Sequence, residues 1–114
     1  MNSELTLKSV VKNNVLIIST EGYINNTGGD TIANECYKYI DEGINKVILN
    51  LAGSKIVNSV GISILIEIIE KLLSVDGKLV FTNLDPAVDK TFTIMGLYQF
   101  AGKESGVEQA LDNM

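Results

Sequence analysis

Arginine and histidine are absent from this sequence, tryptophan is absent too, and cysteine and proline occur once each. Each absence removes a kind of chemistry. Without arginine there is no planar, bidentate clamp for phosphate or carboxylate. The nine basic residues are all lysines, set against 14 acidic ones for a net charge of −5. That balance supplies no basic patch and argues against binding nucleic acid. Without histidine the usual proton shuttle and the commonest metal ligand are missing. The lone Cys36 allows no internal disulfide and makes a thiolate zinc site implausible. Its place in IANECYKYI reads as a small apolar residue on a helix. No apolar run approaches the ~20 residues a membrane-spanning helix needs. The opening MNSELTLKSV lacks the basic-then-apolar pattern of a signal peptide. The expectation is a cytoplasmic protein with no metal, no cofactor, no nucleic acid and no membrane among its partners.

What is present describes a globular chain. Of the 114 residues, 46% are apolar and 20% charged, which suits one domain over residues 1–114. LTLKSVVKNNVLIISTEGYI alternates apolar and polar residues around Asn13-Asn14, predicting a hairpin with strands near 4–11 and 15–20. Ile32, Cys36 and Ile40 then recur at the spacing of one helical face, with Asn or Asp to cap the start and Gly43 to end it. NKVILNLAG and KLVFTNL read as buried strands, and Asp76-Gly77 turns the chain ahead of the second. Asp85-Pro86 opens a helix with Val88, Phe92 and Met95 inward and Gly96 as its stop. YQFA predicts a short edge strand. Ser105 and Glu108 predict a capping box on a last helix that faces Val107, Ala110 and Leu111 inward. The order β-β-α-β-α-β-α-β-α implies an α/β fold. Its mostly parallel mixed sheet has about five strands, an N-terminal hairpin and about four covering helices.

The helix expected over 59–75 is the informative one. Counting about 100° per residue from Val60, the side chains of Ile62, Leu65, Ile66, Ile69, Leu72 and Leu73 share one face. Ser63, Glu67, Glu70 and Lys71 lie opposite, and Val60 and Ile64 fall within that polar sector. The pair is either unremarkable surface, covered by another helix, or a docking point next to Asn58 and Ser59. Ser59 is either a helix cap, a role Asn58 duplicates, or a phosphate acceptor. Catalysis is disfavoured. Ser59 has no histidine to activate it, NSVG lacks the first glycine of a nucleophile elbow, and AGSK lacks phosphate-loop spacing.

KVILNLAGSKIVNSVGISILI resembles the signature of the STAS domain, found in bacterial anti-sigma factor antagonists. That signature is a buried strand ending near an Asp, a short loop, then Asp-Ser-Ser-Gly opening a helix. Asn50 and Asn58 take the two Asp positions, Ser59 the first Ser, Val60 the second and Gly61 the Gly. EGYIN resembles the family's Gly-x-Leu-Asp, with Asn25 in place of Asp, and GLYQFAGKESGVEQAL resembles its closing segment. The resemblance implies a non-enzymatic, partner-switching protein. Unphosphorylated Ser59 would bind an anti-sigma factor with serine kinase activity, phosphorylation would release it, and a serine phosphatase would reset the cycle. Asn25, Asn58, Ser59, Val60, Gly61 and Ile64 would form the docking surface. Asparagine at positions 25, 50 and 58 removes charge that the family pattern carries. That leaves open a scaffold or sensor subunit that is never phosphorylated, or a module that binds a small ligand.

Overall fold

The structure, a computed structural model, describes residues 4–114. Strands β1 (Thr6–Lys12) and β2 (Val15–Glu21) form the antiparallel hairpin, and Asn13 and Asn14 both take the positive φ that its tight turn requires. Helix α1 (Asn26–Ile40) returns the chain to β3 (Lys46–Gly53), and α2 (Ser59–Leu73) returns it to β4 (Lys78–Thr82). Helix α3 (Pro86–Ile94), a 3₁₀ turn (Leu97–Gln99), β5 (Gly102–Glu104) and α4 (Val107–Asp112) complete the described chain. The sheet order is β1-β2-β3-β4-β5, parallel from β2 onward.

Two cores follow from strand alternation. Leu16, Ile18, Val47, Leu49, Leu79 and Phe81 point to the face covered by α1, α2 and α3, where they meet Ile32, Cys36, Leu65, Ile68, Leu72 and Phe92. Val15, Ile17, Ile48 and Val80 point to the other face, where Ala110 of α4 closes on them with Val107 and Leu111. Cys36 is fully buried, and burial, reinforced by Glu35, pushes its thiol up to about 12. It is a packing residue rather than a nucleophile. Among the described residues no helix is long and apolar enough to cross a membrane.

Four local expectations need correction. YQFA is not a strand: the chain makes a 3₁₀ turn over Leu97–Gln99, and pairing with β4 begins only at Gly102. Leu97, Tyr98 and Ala101 pack on the core while Phe100 stays exposed, so the helical-turn spacing prevails over alternation. Ser105 does not cap α4. The helix starts one residue later, with Gly106 at the cap and no side-chain cap bond. Met95 is exposed at the end of α3, leaving Val88 and Phe92 as that helix's buried face. In α2 the buried face is turned toward Ile68, which the expected stripe omitted, while Ile66 is half-buried and Leu73 exposed. α2 lies against α1 as well as the sheet, so its apolar face is wider on the α1 side.

A polar clasp fastens α3 to the chain that follows it. Tyr98 Oη donates to Asp89 Oδ1 (2.7 Å), and Lys103 Nζ donates to both carboxylate oxygens (3.0 and 3.1 Å). Lys103 also sits 4.9 Å from the centroid of the Tyr98 ring. The Tyr98 hydroxyl first, then Lys103, holds the Asp89 carboxyl below the usual carboxylate range. A depressed folded-state pKa contributes stability that is fully present above the unfolded value near ~3.9 and is lost as pH falls through the folded value. The clasp is solvent-exposed, so its worth is about 1 kcal/mol at most. Wild type and Asp89→Asn should therefore differ in Tm at neutral pH, and the gap should close only as pH falls from the unfolded value through the depressed folded one. A gap that persists in acid would mean the clasp does not act through charge.

Candidate functional site

Two helix mouths open side by side at one end of the sheet. Asn25 precedes α1 and Asn58 precedes α2, both in extended backbone conformation. Gly28 N–H donates to Asn25 Oδ1 and Gly61 N–H donates to Asn58 Oδ1, each at 2.8 Å. The two N-x-x-G segments are thus the same cap built twice. A parallel bridge joins them, with Ile24 N–H donating to Ile56 O (3.0 Å) and Asn58 N–H donating to Ile24 O (3.1 Å). A side chain on Gly61 would place its Cβ 2.1 Å from Ile24 O, so only glycine lets α2 start this close to the chain entering α1. Asn50, the last residue of β3 to pair with β4, accepts from Ala52 N–H (3.0 Å) and so fixes the strand's final residues ahead of the loop leading to this mouth.

The cap question has a plain answer. Asn58 is the cap, and Ser59 is the first helical residue, exposed and not needed for that role. The first turns of α1 and α2 carry no acidic residue. Val60 lies beside Ser59 at 48% exposure. Ile64, one turn on, is half-buried against α1: a Cβ added to Gly29 would lie 2.8 Å from Ile64 Cδ1. The structure therefore brings Asn25, Asn58, Ser59 and Val60 together at one surface, with Ile64 serving chiefly as the wedge between the two helices; Gly61, expected on that surface, is instead buried against the Ile24 carbonyl, because α2 starts in contact with the chain entering α1. Replacing Asn58 with alanine should cost about 1 kcal/mol in chemical denaturation. Ser59→Ala should be close to neutral in the same assay, and an equal loss for Ser59→Ala would mean that Ser59 shares the cap.

Sequence reasoning missed Ile24, Gly28 and Gly29, which hold the mouths together. The usable signal was the repeated spacing of Asn25 to Gly28 and Asn58 to Gly61. Among the described residues no cluster of three or more His, Cys, Asp or Glu side chains is placed to hold a metal. The geometry offers an exposed hydroxyl, two capped helix starts and two exposed branched side chains, Val60 and, on the bridging segment, Ile56.

The STAS domain family model matches residues 6–110. The chain belongs to the STAS domain family. A Bordetella bronchiseptica protein, BtrV, described as a candidate anti-sigma factor antagonist, is 28% identical over 82 residues, spanning 72% of this STAS chain and 71% of BtrV. An anti-sigma factor antagonist from Mycobacterium paratuberculosis superposes with a TM-score of 0.86 at 18% identity, covering 99% of this chain and 96% of that one. The Bacillus cell fate determinant SpoIIAA, solved in its phosphorylated form, gives 0.73 at 21% identity over 96% and 97% of the two chains. At these identities the structural likeness establishes the STAS fold. The hairpin edge, the parallel sheet and the helices over its two faces are its parts.

Proposed function

We propose that this STAS domain is a cytoplasmic anti-sigma factor antagonist that works by partner switching, a binding protein rather than an enzyme. With Ser59 unmodified, the surface formed by Asn25, Asn58, Ser59 and Val60, set in place by the buried Gly61, docks on an anti-sigma factor that is also a serine kinase. Phosphorylation of Ser59 ends the contact, and a serine phosphatase restores it. The observation that carries this reading is the division of labour at the mouth of α2. Asn58 holds the cap through Gly61, which leaves the Ser59 hydroxyl exposed and dispensable to the helix.

The physics favours a clean switch. A phosphate adds about −1.5 to −2 charges, which the positive end of α2 accommodates without disturbing the fold. The same charge pressed into a partner's apolar contact is expelled by desolvation. The test is incubation with the cognate kinase and ATP, then peptide mass spectrometry, with phosphate expected on Ser59. Phosphate found only elsewhere would overturn the switch.

Val60 and Ile64 separate docking from packing. Val60→Glu should weaken partner binding about tenfold or more while leaving the unfolding midpoint nearly unchanged. Ile64→Glu should cost about 2 kcal/mol of stability, because it drives a charge between α1 and α2. A Val60→Glu protein that binds normally would remove this face from the interface.

A second reading is favoured by one observation. Asn25, Asn50 and Asn58 all use their carbonyl oxygens on backbone N–H groups, so the caps and the turn form without the carboxylate charge of the family pattern. That arrangement suits a constitutive scaffold or sensor subunit, in which Ser59→Ala would leave signalling intact.

A further inference from the structure

We propose that the groove between the C-terminal half of α2 and the corner joining α3 to the 3₁₀ turn is a second docking site. Its occupant is an amphipathic segment of another protein that carries apolar side chains beside lysine or arginine. The groove has a volume of about 420 Å³. Ile66 and Leu73 line its α2 wall, and Ile94, Met95 and Phe100 line the other. Ile94 (72% exposed) and Phe100 (63%) are the two most exposed large apolar side chains among the described residues. Gly96, at φ 80°, makes the turn that presents both on the same side. Isolated apolar side chains on a surface are ordinary, but several gathered around one concavity form a protein contact.

Charge selects the occupant. Among the described residues Glu70 is the one charged side chain lining the groove; its neighbour Lys71 does not line it. A second copy of this chain, at net charge −5, would bring like charges together at the contact. A cationic amphipathic segment would instead bury its apolar face on Ile94 and Phe100 and pair with Glu70, the helix-in-groove mode of recognition.

Position makes this site independent of Ser59. Eleven helical steps lead from Ser59 to Glu70, roughly 16 Å, about twice the Debye length of ~8 Å at physiological ionic strength. A phosphate on Ser59 therefore leaves the groove unaltered, and a partner held there stays bound through both states of the first surface.

The test titrates the isotope-labelled full chain with a synthetic amphipathic Leu/Lys peptide of about four helical turns and with its Leu/Glu counterpart, read by NMR. The Leu/Lys peptide should bind about tenfold tighter and shift the signals of Leu73, Ile94, Met95 and Phe100. Glu70→Lys should reverse the preference, Phe100→Ser should weaken both peptides about tenfold, and Ser59→Asp should change neither. Shifts confined to other surfaces, or an unchanged preference in Glu70→Lys, would overturn the proposal. Self-association in sedimentation that Phe100→Ser abolishes would also overturn it, assigning the groove to a second copy. None of these readouts depends on whether Ser59 is phosphorylated.

Discussion

A Gly61→Ala variant is expected to lose about 2 kcal/mol or more of stability, although the change improves the helix it sits in. Alanine is worth up to about 1 kcal/mol over glycine in a helix. Against that gain stands the Ile24 carbonyl, whose oxygen and carbon would lie 2.1 and 2.9 Å from the new Cβ. Both are backbone atoms, held by the bonds from Asn58 N–H to Ile24 O and from Ile24 N–H to Ile56 O. No side-chain rotation relieves the contact, so the two mouths must separate or the bridge must break, at a cost of about 3 kcal/mol or more. The steric term wins. Gly102→Ala is the control, because its Cβ would meet Val80 Cγ2 at an ordinary 3.4 Å, and it should stay within about 0.5 kcal/mol of wild type. Urea unfolding at constant m-value reads both. A Gly61→Ala protein as stable as wild type would show that the close approach is not structurally required.

Ser59→Asp should reduce affinity for the anti-sigma factor about 100-fold or more, equivalent to about 2.7 kcal/mol. It should leave folding unchanged or slightly improved. The two effects have opposite signs for one reason. A carboxylate at the first turn of α2 meets the positive end of the helix, worth about 0.3–1 kcal/mol at an exposed site. In a complex it must also give up its water against the Val60 contact. Calorimetric titration of wild type, Ser59→Ala and Ser59→Asp separates the cases, with Ser59→Ala expected to bind like wild type. If Ser59→Asp binds like wild type, charge at this position does not control the partner, and the scaffold reading takes its place.

The candidate site was legible in the sequence to the extent that its signals were local. Asn58, Ser59 and Gly61 stand together at a helix start in any reading, and Val60 falls on the polar side of α2 by spacing alone. Ile64 belongs to the same sector by angle, yet Gly29 leaves a gap in α1 into which it settles. No helical wheel drawn for one helix contains its neighbour. The same limit explains Met95 and YQFA. Their periodicity was sound over a few residues, but Gly96 redirects the chain and the packing of Leu97 and Tyr98 against Phe81 and Phe92 decides its path.

Element order, the hairpin with its Asn13-Asn14 turn, the Asp85 cap and the inward faces of α1 and α4 were determined by the sequence alone. Turn chemistry, capping and periodicities of two and 3.6 act within a few residues of one another. Tertiary structure decided that Asn58 rather than Ser59 serves the helix, that Ile24 forbids a side chain at position 61, and that a groove opens beside α2. Each of these depends on an element distant in the chain arriving within a few ångströms. At that range the volume of a single methyl group or one hydrogen bond chooses between alternatives that local pattern leaves equal.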